Sequence, residues 1–210
     1  MIKTVNAGLL GSNTYVVFNE STKIAMIVDC GCKAADAIGF VNKMGLKVEY
    51  IVLTHGHFDH AHYTSEYVCA FPDAEIICHS EELKVLLDPS ANLSTLFADE
   101  RSYRFPYKTV EEGDMISLGK TESGANMIFK IIHSPGHTPG SICLLCEELG
   151  IMLTGDTLFN GGYGRTDFAY GSATQMRESL RRLLSLDGAV RFYPGHGIPS
   201  TISNEEQEYL

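Results

Sequence analysis

The sequence has no long apolar run and relatively little positive charge. Its 210 residues include 16 lysines and arginines against 26 aspartates and glutamates, so the formal net charge is −10. An acidic surface repels phosphate backbones and anionic lipid, so we expect neither nucleic acid nor a membrane as a partner. No apolar stretch approaches the ~20 residues that a membrane-spanning helix needs. The remaining class of partner is a small-molecule substrate.

A targeting signal, a repeat and a flexible linker are also missing. The first 18 residues lack a basic segment followed by an apolar one, so we expect no signal peptide and a cytoplasmic protein. No segment is rich in Pro, Gly and Ser in the manner of a linker. With 44% hydrophobic and 20% charged residues, the composition is typical of a globular core. We therefore predict one domain over residues 1–210.

The six cysteines do not indicate a disulfide framework, because no secretory signal accompanies them. Cys143 and Cys146 form a CxxC pair, which could be a redox or zinc motif. They lie in the segment SICLLCEE, which we predict to be a strand, where residues three apart point to opposite faces. Buried free thiols are the favoured interpretation.

Strands and helices alternate along the chain, which predicts an α/β fold. The predicted strands cover Asn13–Asn19, Ile24–Asp29, Tyr50–Leu53, Glu75–Cys78, Met127–His133, Ser141–Cys146, Ile151–Thr154 and Val190–Tyr193. The predicted helices cover Lys33–Gly45, His60–Ala70 and Ser80–Leu87, and a fourth begins at a capping box at Ser172 and Gln175. A short acidic tail follows the last strand.

The stretch VLTHGHFDHAH, from Val52 to His62, crowds four histidines and one aspartate behind a buried strand. Packing gives no reason to collect polar groups in this way, because each is costly to bury. Neutral imidazole and carboxylate are the usual ligands of zinc and related metals. His55, His57, Asp59 and His60 are therefore candidate metal ligands.

Three more segments place a ligand-type residue in a turn after an apolar strand. They are HSPGHTPGS with His137, LTGDTLF with Asp156, and FYPGHG with His196. Seven candidate ligands thus come from four strand ends, which is more than one tetrahedral metal can use. Two adjacent metals that share one bridging carboxylate would use all seven.

The motifs HGHFDH, PGHTPGS, GDTLF and PGHG, in this order, resemble the metallo-β-lactamase superfamily over essentially the whole chain. The resemblance implies an αββα four-layer sandwich with two divalent metal ions at one edge of its sheets. It assigns His55, His57 and His137 to the first metal, Asp59, His60 and His196 to the second, and Asp156 to the bridge. Zinc is the first expectation for the metal, with iron and manganese as alternatives.

The other polar residues near these motifs receive different interpretations. We expect structural roles for His62, His79 and His133, although His62 and His133 could also support a ligand. Asp29 ends a strand in IVDCG and resembles the strand-end aspartate of the family. It is the better candidate to hold the far nitrogen of a ligand histidine.

The segment GGYGRTDF after GDTLF resembles the glyoxalase II-like branch, which contains hydroxyacylglutathione hydrolases and persulfide dioxygenases. Arg165 falls where glyoxalase II has a lysine that binds the carboxylate of the thiol, so a substrate-binding role and a buried ion pair with Asp167 are both open. Asp167 falls near a substrate-contacting tyrosine of glyoxalase II. The chain ends 14 residues after His196, as expected for a short form without the helical glutathione-binding domain.

The resemblance implies a metal-dependent hydrolase of thioesters such as hydroxyacylglutathione. A metal-bridging hydroxide would attack the carbonyl carbon, and Asp59 would orient that hydroxide as a catalytic residue. The alternative is an iron-dependent persulfide dioxygenase that holds one iron through His55, His137 and Asp156.

Overall fold

The computed structural model describes residues 1–5 and 8–209, with side chains up to residue 205. Its first sheet contains β1 (Ile2–Thr4), β2 (Tyr15–Phe18), β3 (Ile24–Val28), β4 (Lys47–Val52), β5 (Glu75–His79) and β6 (Tyr107–Val110), hydrogen-bonded in that order. β1 to β3 pair antiparallel, whereas β3 to β6 pair parallel.

The second sheet follows in the chain and is mostly antiparallel. It begins with β7 (Met115–Lys120), β8 (Asn126–His133), β9 (Ile142–Cys146) and β10 (Ile151–Gly155). A small hairpin comes next, formed by β11 (Leu158–Phe159) and β12 (Gly162–Tyr163). β13 (Arg191–Pro194) then pairs parallel to β10, and β14 (Ser200–Thr201) closes that edge, which gives the order β14-β13-β10-β9-β8-β7.

Helices cover the outer faces of both sheets. They are α1 (Ala34–Met44), α2 (Phe58–Ala61), α3 (Thr64–Ala70), α4 (Leu83–Leu87), α5 (Ala173–Leu184) and α6 (Ile202–Tyr209). In the described part of the chain, no helix is long and apolar enough to span a bilayer.

Three buried clusters hold the layers together. In β3, Ala25 and Ile27 face the cluster under α1 and α3, whereas Met26 and Val28 face the cluster between the two sheets. A third cluster packs the second sheet against α5, with Leu180 among its buried residues. Strands buried on both faces read as continuous apolar runs, as β3 does. The observed layers form the αββα sandwich that the resemblance implies.

The interpretation of Cys143 and Cys146 as buried free thiols is confirmed. Cys143 lies in the cluster beside α5 and Cys146 in the cluster between the sheets, and both are buried free thiols. They point to opposite faces of β9, so the CxxC spelling is a consequence of a strand that is apolar on both sides.

The prediction of one helix over His60–Ala70 was wrong. α2 ends at Ala61 and α3 begins at Thr64, because the Thr64 hydroxyl donates to the Ala61 carbonyl and the Tyr63 amide donates to Cys30 instead of continuing the helix. The helix predicted at Ser80–Leu87 is a 3-10 turn, Ser80–Glu82, followed by α4.

Several elements were not predicted. The strands β1, β6 and β7 are half exposed and were missed, and the predicted acidic tail contains α6. α6 forms because Ile202 is fully buried and Glu205 accepts hydrogen bonds from the Ser200 hydroxyl at 2.6 Å and the Gly161 amide at 2.8 Å. The Ser172 cap of α5 is confirmed, since its side chain accepts from the Gln175 amide.

Candidate metal centre

The seven predicted ligands come together at one end of the facing sheets. The loop after β4 carries four of them, and the turn between β8 and β9, the end of β10 and the end of β13 carry one each. Ligand atoms fall into three overlapping groups within 4.8 Å, made of His55, His57 and His137, of His55, His60 and Asp156, and of Asp59, His60 and His196.

The first group contains three imidazoles and no carboxylate. His57 Nδ1 lies 2.8 Å from His137 Nε2, and the His55 ring centroid is 4.9 Å from each of the other two. Burial lowers the pKa of all three, and the neighbouring imidazoles lower the pKa of His55 and His57 further. Neutral rings with converging lone pairs are what a divalent cation requires of histidine.

The third group, made of Asp59, His60 and His196, contains a carboxylate. His196 Nε2 lies 3.1 Å from Asp59 Oδ2 and 3.2 Å from His60 Nε2. Burial acts to raise the pKa of Asp59, but the neighbouring His60 and His196 hold it well below its usual range, so the carboxyl is ionised.

His60 interacts electrostatically with three carboxylates. Burial acts to lower its pKa, yet Asp156, Asp59 and Asp29 together raise it to about 10. The same negative potential would stabilise a bound metal cation.

Asp156, from the remaining group, lies between the groups of His55, His57 and His137 and of Asp59, His60 and His196. Its Oδ1 is 3.4 Å from His60 Nε2, and its Oδ2 is 3.5 Å from His137 Nε2 and 3.6 Å from His196 Nε2. The carboxylate therefore faces ligand atoms of both groups. Gly195 makes this approach possible, because a Cβ atom there would overlap Asp156 Oδ1 and come within 2.8 Å of His60 Cε1.

The residues fit a pair of divalent cations. Among the described residues, His55 Nε2 and Asp156 Oδ1 are buried and have no hydrogen-bond partner. An orphaned buried polar atom is costly, and here two such atoms point into a cluster of converging ligands. Histidine and carboxylate donors accept zinc, iron or manganese.

Hydrogen bonds behind the ligands fix their tautomers. His60 Nδ1 donates to Asp29 Oδ2 at 2.8 Å, and His137 Nδ1 lies 2.7 Å from the Arg165 carbonyl, to which it donates. The Thr54 hydroxyl donates to Asp29 and lies 3.2 Å from His55 Nδ1, from which it can accept. Nδ1 therefore carries a hydrogen in each ring, which makes Nε2 the nitrogen that would bind a metal. The role expected for Asp29 matches these contacts.

The three other histidines do not join the cluster. His62 pairs with Asp99 at 3.6 Å, and His79 caps the 3-10 turn by accepting from the Glu81 amide. His133 Nε2 contacts the Pro139 carbonyl at 2.8 Å, and its ring stacks on His79. These contacts agree with structural roles.

Arg165 lies at the rim of the site. It forms a bidentate ion pair with Asp167 at 2.9 and 2.7 Å, as one of the two interpretations expected, but the pair is exposed and not buried. Its guanidinium carbon lies 4.3 Å over the Phe168 ring, which in turn contacts the His57 ring edge-to-face at 5.6 Å. Phe168 was not predicted, because a single aromatic in a loop carries no sequence signal.

Comparison with known proteins identifies the family. The metallo-beta-lactamase superfamily model matches residues 7–196. The hydroxyacylglutathione hydrolase GloC of Haemophilus influenzae is 32% identical over 199 residues, which cover 90% of this chain and 87% of that one. The crystal structure of the BLEG-1 B3 metallo-beta-lactamase aligns with a TM-score of 0.86 and 30% identity, over 99% of this chain and 97% of that one.

A second solved structure, TTHA1623 in a di-iron-bound form, aligns with a TM-score of 0.83 and 28% identity, over 97% of this chain and 96% of that one. The family match covers most of the chain, and the ligand motifs lie within it. The chain belongs to the metallo-beta-lactamase superfamily, whose members are generally metal-dependent hydrolases, and within it to the glyoxalase II-like group.

Proposed function

We propose that this chain is a dinuclear metallohydrolase that cleaves thioesters, such as hydroxyacylglutathione, to a carboxylic acid and a thiol. The observation that carries the proposal is the placement of Asp156 between two groups of buried ligand atoms. The likeness to GloC, a hydroxyacylglutathione hydrolase at 32% identity, supports the choice of a thioester.

His55, His57 and His137 would hold the first ion, Asp59, His60 and His196 the second, and Asp156 both. Two divalent ions at these positions would supply a water of lowered pKa and would polarise the thioester carbonyl. Zinc is the first candidate, and the di-iron form of TTHA1623 makes iron a specific alternative for this architecture.

Asp59 is the residue of this chain that would orient the attacking water. It is ionised, because His60 and His196 lower its pKa, and it is 8% exposed, so one edge of the carboxylate reaches the mouth of the site. An ionised carboxylate accepts a hydrogen bond from the water and turns the oxygen lone pair toward the carbonyl carbon. The departing thiolate has a low pKa, so the reaction does not need a separate general acid.

Arg165 would bind a carboxylate of the substrate. Its side chain is 65% exposed, and its guanidinium lies over Phe168, beside the His57 ring, so an incoming carboxylate could replace that of Asp167. Exposed ion pairs contribute little to stability, so breaking the pair with Asp167 costs little free energy.

The proposal is tested by metal analysis and thiol release on the purified chain. We expect close to two ions per chain after metal repletion, together with release of thiol from S-D-lactoylglutathione or another thioester. One ion or none would contradict the dinuclear centre, and two ions without turnover of any thioester would contradict the reaction.

A persulfide dioxygenase remains the second candidate, because His137 Nε2 and Asp156 Oδ2 lie 3.5 Å apart and His55 adjoins both. Those three residues would hold a single iron. Oxygen consumption with glutathione persulfide, measured beside thiol release from a thioester on the same preparation, separates the two reactions.

A further inference from the structure

Glu82 is a fully buried acid that the proposed reaction does not use. It ends the 3-10 turn Ser80–Glu82 and has no exposed surface. Acids are rarely buried without a partner that compensates for the lost hydration. No lysine or arginine pairs with Glu82 among the described residues, so the compensation must come from hydrogen bonds.

Those hydrogen bonds come from the two loops that carry the first group of ligands. Glu82 Oε1 accepts from the Gly56 amide at 2.7 Å, and Gly56 stands between His55 and His57. Glu82 Oε2 accepts from the Thr138 hydroxyl and the Gly140 amide, both at 2.8 Å, directly after His137.

Both glycines permit a close approach to this carboxylate. A Cβ atom at Gly140 would lie 2.7 Å from Glu82 Oε2 and Cβ, and one at Gly56 would lie 3.1 Å from Glu82 Oε1 and 2.9 Å from Leu86 Cγ. The backbones of both loops therefore pack directly against Glu82, which leaves little conformational freedom for either loop.

From this geometry we propose that Glu82 is a positioning residue of the first metal site. By accepting from both loops it sets the distance between the pair His55 and His57 on one side and His137 on the other. The inference rests on the proposed dinuclear centre. It predicts a larger effect at the first site, because Gly56 directly adjoins His55 and His57 and Thr138 directly follows His137, whereas Asp59 and His60 lie farther along the loop, in α2.

Glu82→Gln is the informative change, since it keeps the volume and removes one acceptor. In either orientation of the new amide, its NH₂ group faces a backbone N–H, of Gly56 or of Gly140. We expect the affinity for the first ion to fall about 10- to 100-fold, the range found when partners of metal ligands are changed. The second ion should remain bound.

The measurement is metal content under graded chelation, with cobalt(II) spectra that distinguish the site with three imidazoles from the site with two imidazoles and Asp59. Glu81→Gln is the matched control, because the neighbouring Glu81 is exposed and pairs with Lys84. Thr138→Val removes one of the three hydrogen-bond donors to Glu82. It replaces Glu82→Gln as the test variant if that protein folds poorly.

The outcomes distinguish failure of the proposed dinuclear centre from failure of the role proposed for Glu82. Fewer than two ions in the native chain would contradict the proposed centre. If the native chain binds two ions, two results would overturn the role of Glu82. The Glu82→Gln and Thr138→Val variants would either keep native affinity for both ions or lose both ions equally. Loss of the first ion alone supports it.

A separate observation concerns the mouth of the site, by which we mean the segments that adjoin His57, Asp59 and His196. These segments carry exposed apolar side chains. Leu10 is 64% and Ile198 69% exposed. Phe159 lies 6.0 Å from the His196 ring, and Phe97, 45% exposed, stacks on Phe58 at 4.9 Å. Exposed apolar side chains in several segments that adjoin the ligands would together supply a binding surface.

The segment that carries Leu10 is held against the ligand loops. Ser12, two residues on, forms a backbone bridge with His196, and its hydroxyl donates to the Asp59 carbonyl at 2.7 Å. Leu10 itself has a φ of 54°, in the left-handed region that a branched side chain adopts at a cost. Strain of this kind collects at functional sites.

We infer that this mouth binds an apolar acyl group, so the preferred thioesters carry an alkyl or aryl acid. This inference rests on the proposed thioester hydrolysis. Across straight-chain acyl thioesters of one thiol, kcat/KM should rise with length, by about fourfold at most for each fully buried methylene.

Leu10→Ser and Ile198→Ser should flatten that dependence, so kcat/KM for the longest acyl thioester should fall more than kcat/KM for the acetyl thioester. Met115→Ser is the control, since Met115 is 68% exposed on the edge strand β7. Absence of turnover with every thioester would contradict the proposed function. Turnover that is independent of chain length in the native enzyme would overturn the apolar acyl site alone.

Discussion

We expect Asp29→Asn to weaken the proposed second metal site, because Asp29 holds His60, a proposed ligand of that site. Its Oδ2 accepts from His60 Nδ1 at 2.8 Å, and its Oδ1 accepts from the Thr54 amide at 2.8 Å. Asp29 has a φ of 62°, which asparagine tolerates well, so the backbone is not a confounding factor.

The asparagine amide cannot satisfy both neighbours. If its NH₂ faces His60, the histidine must accept on Nδ1 and carry its hydrogen on Nε2, where it can no longer bind a metal. If its NH₂ faces Thr54, the buried amide of Thr54 loses its acceptor. We expect a loss of about 10- to 100-fold in affinity for the second ion, or about 1.4 to 2.7 kcal/mol.

Chelator titration of the metal-loaded variant measures this loss. Asp99→Asn is the control, since Asp99 pairs with His62 and Arg101 and contacts no ligand among the described residues. Combination with His196→Ala adds a further test, because two changes that act on the same ion should not add. An Asp29→Asn protein that keeps native affinity for both ions would refute the assignment of His60 and its tautomer.

Three further predictions concern the centre and its substrate. Asp156→Asn should lower the content of both ions, whereas His196→Ala should lower only that of the second, and equal metal loss in the two variants would place the bridge elsewhere. Arg165→Ala should raise KM severalfold with unchanged kcat and metal content if the guanidinium binds a substrate carboxylate, and steady-state kinetics would show an unchanged KM if the exposed pair with Asp167 is its only role. Hydrolysis of a chromogenic cephalosporin should be absent, and an enzyme-like rate would show that this chain shares the activity named for its structural neighbour BLEG-1.

The ligand-bearing loops could be predicted because each follows a buried strand. β4, β10 and β13 are apolar at their ends, and a polar ligand-type residue in the next turn stands out against them. The ends of parallel strands meet at one edge of a sheet, so the side chains in those turns converge. Asp29 was recognised for the same reason, since it follows β3 directly.

Element boundaries were predicted less well where a tertiary contact overrides the local pattern. Apolar and polar residues over His60–Ala70 fit one helix, but the carbonyl of Cys30, some 30 residues earlier, binds the Tyr63 amide and ends the first helix there. The strand β6 alternates weakly, since Lys108 and Thr109 are both exposed, so its pairing with β5 decides its conformation.

Glu82 could not have been predicted, and the reason bears on how the centre is built. It stands in a short polar turn, and only the fold brings it to Gly56 and Gly140, which are 26 and 58 residues away. Asp29 and Glu82 act on different ligands. Asp29 accepts a hydrogen bond from His60, and Glu82 accepts hydrogen bonds from the loops of His57 and His137. Because the ligands themselves are spread over four loops, their spacing must be set by groups that connect those loops. Buried acids suit this task, since one carboxylate accepts several hydrogen bonds at once.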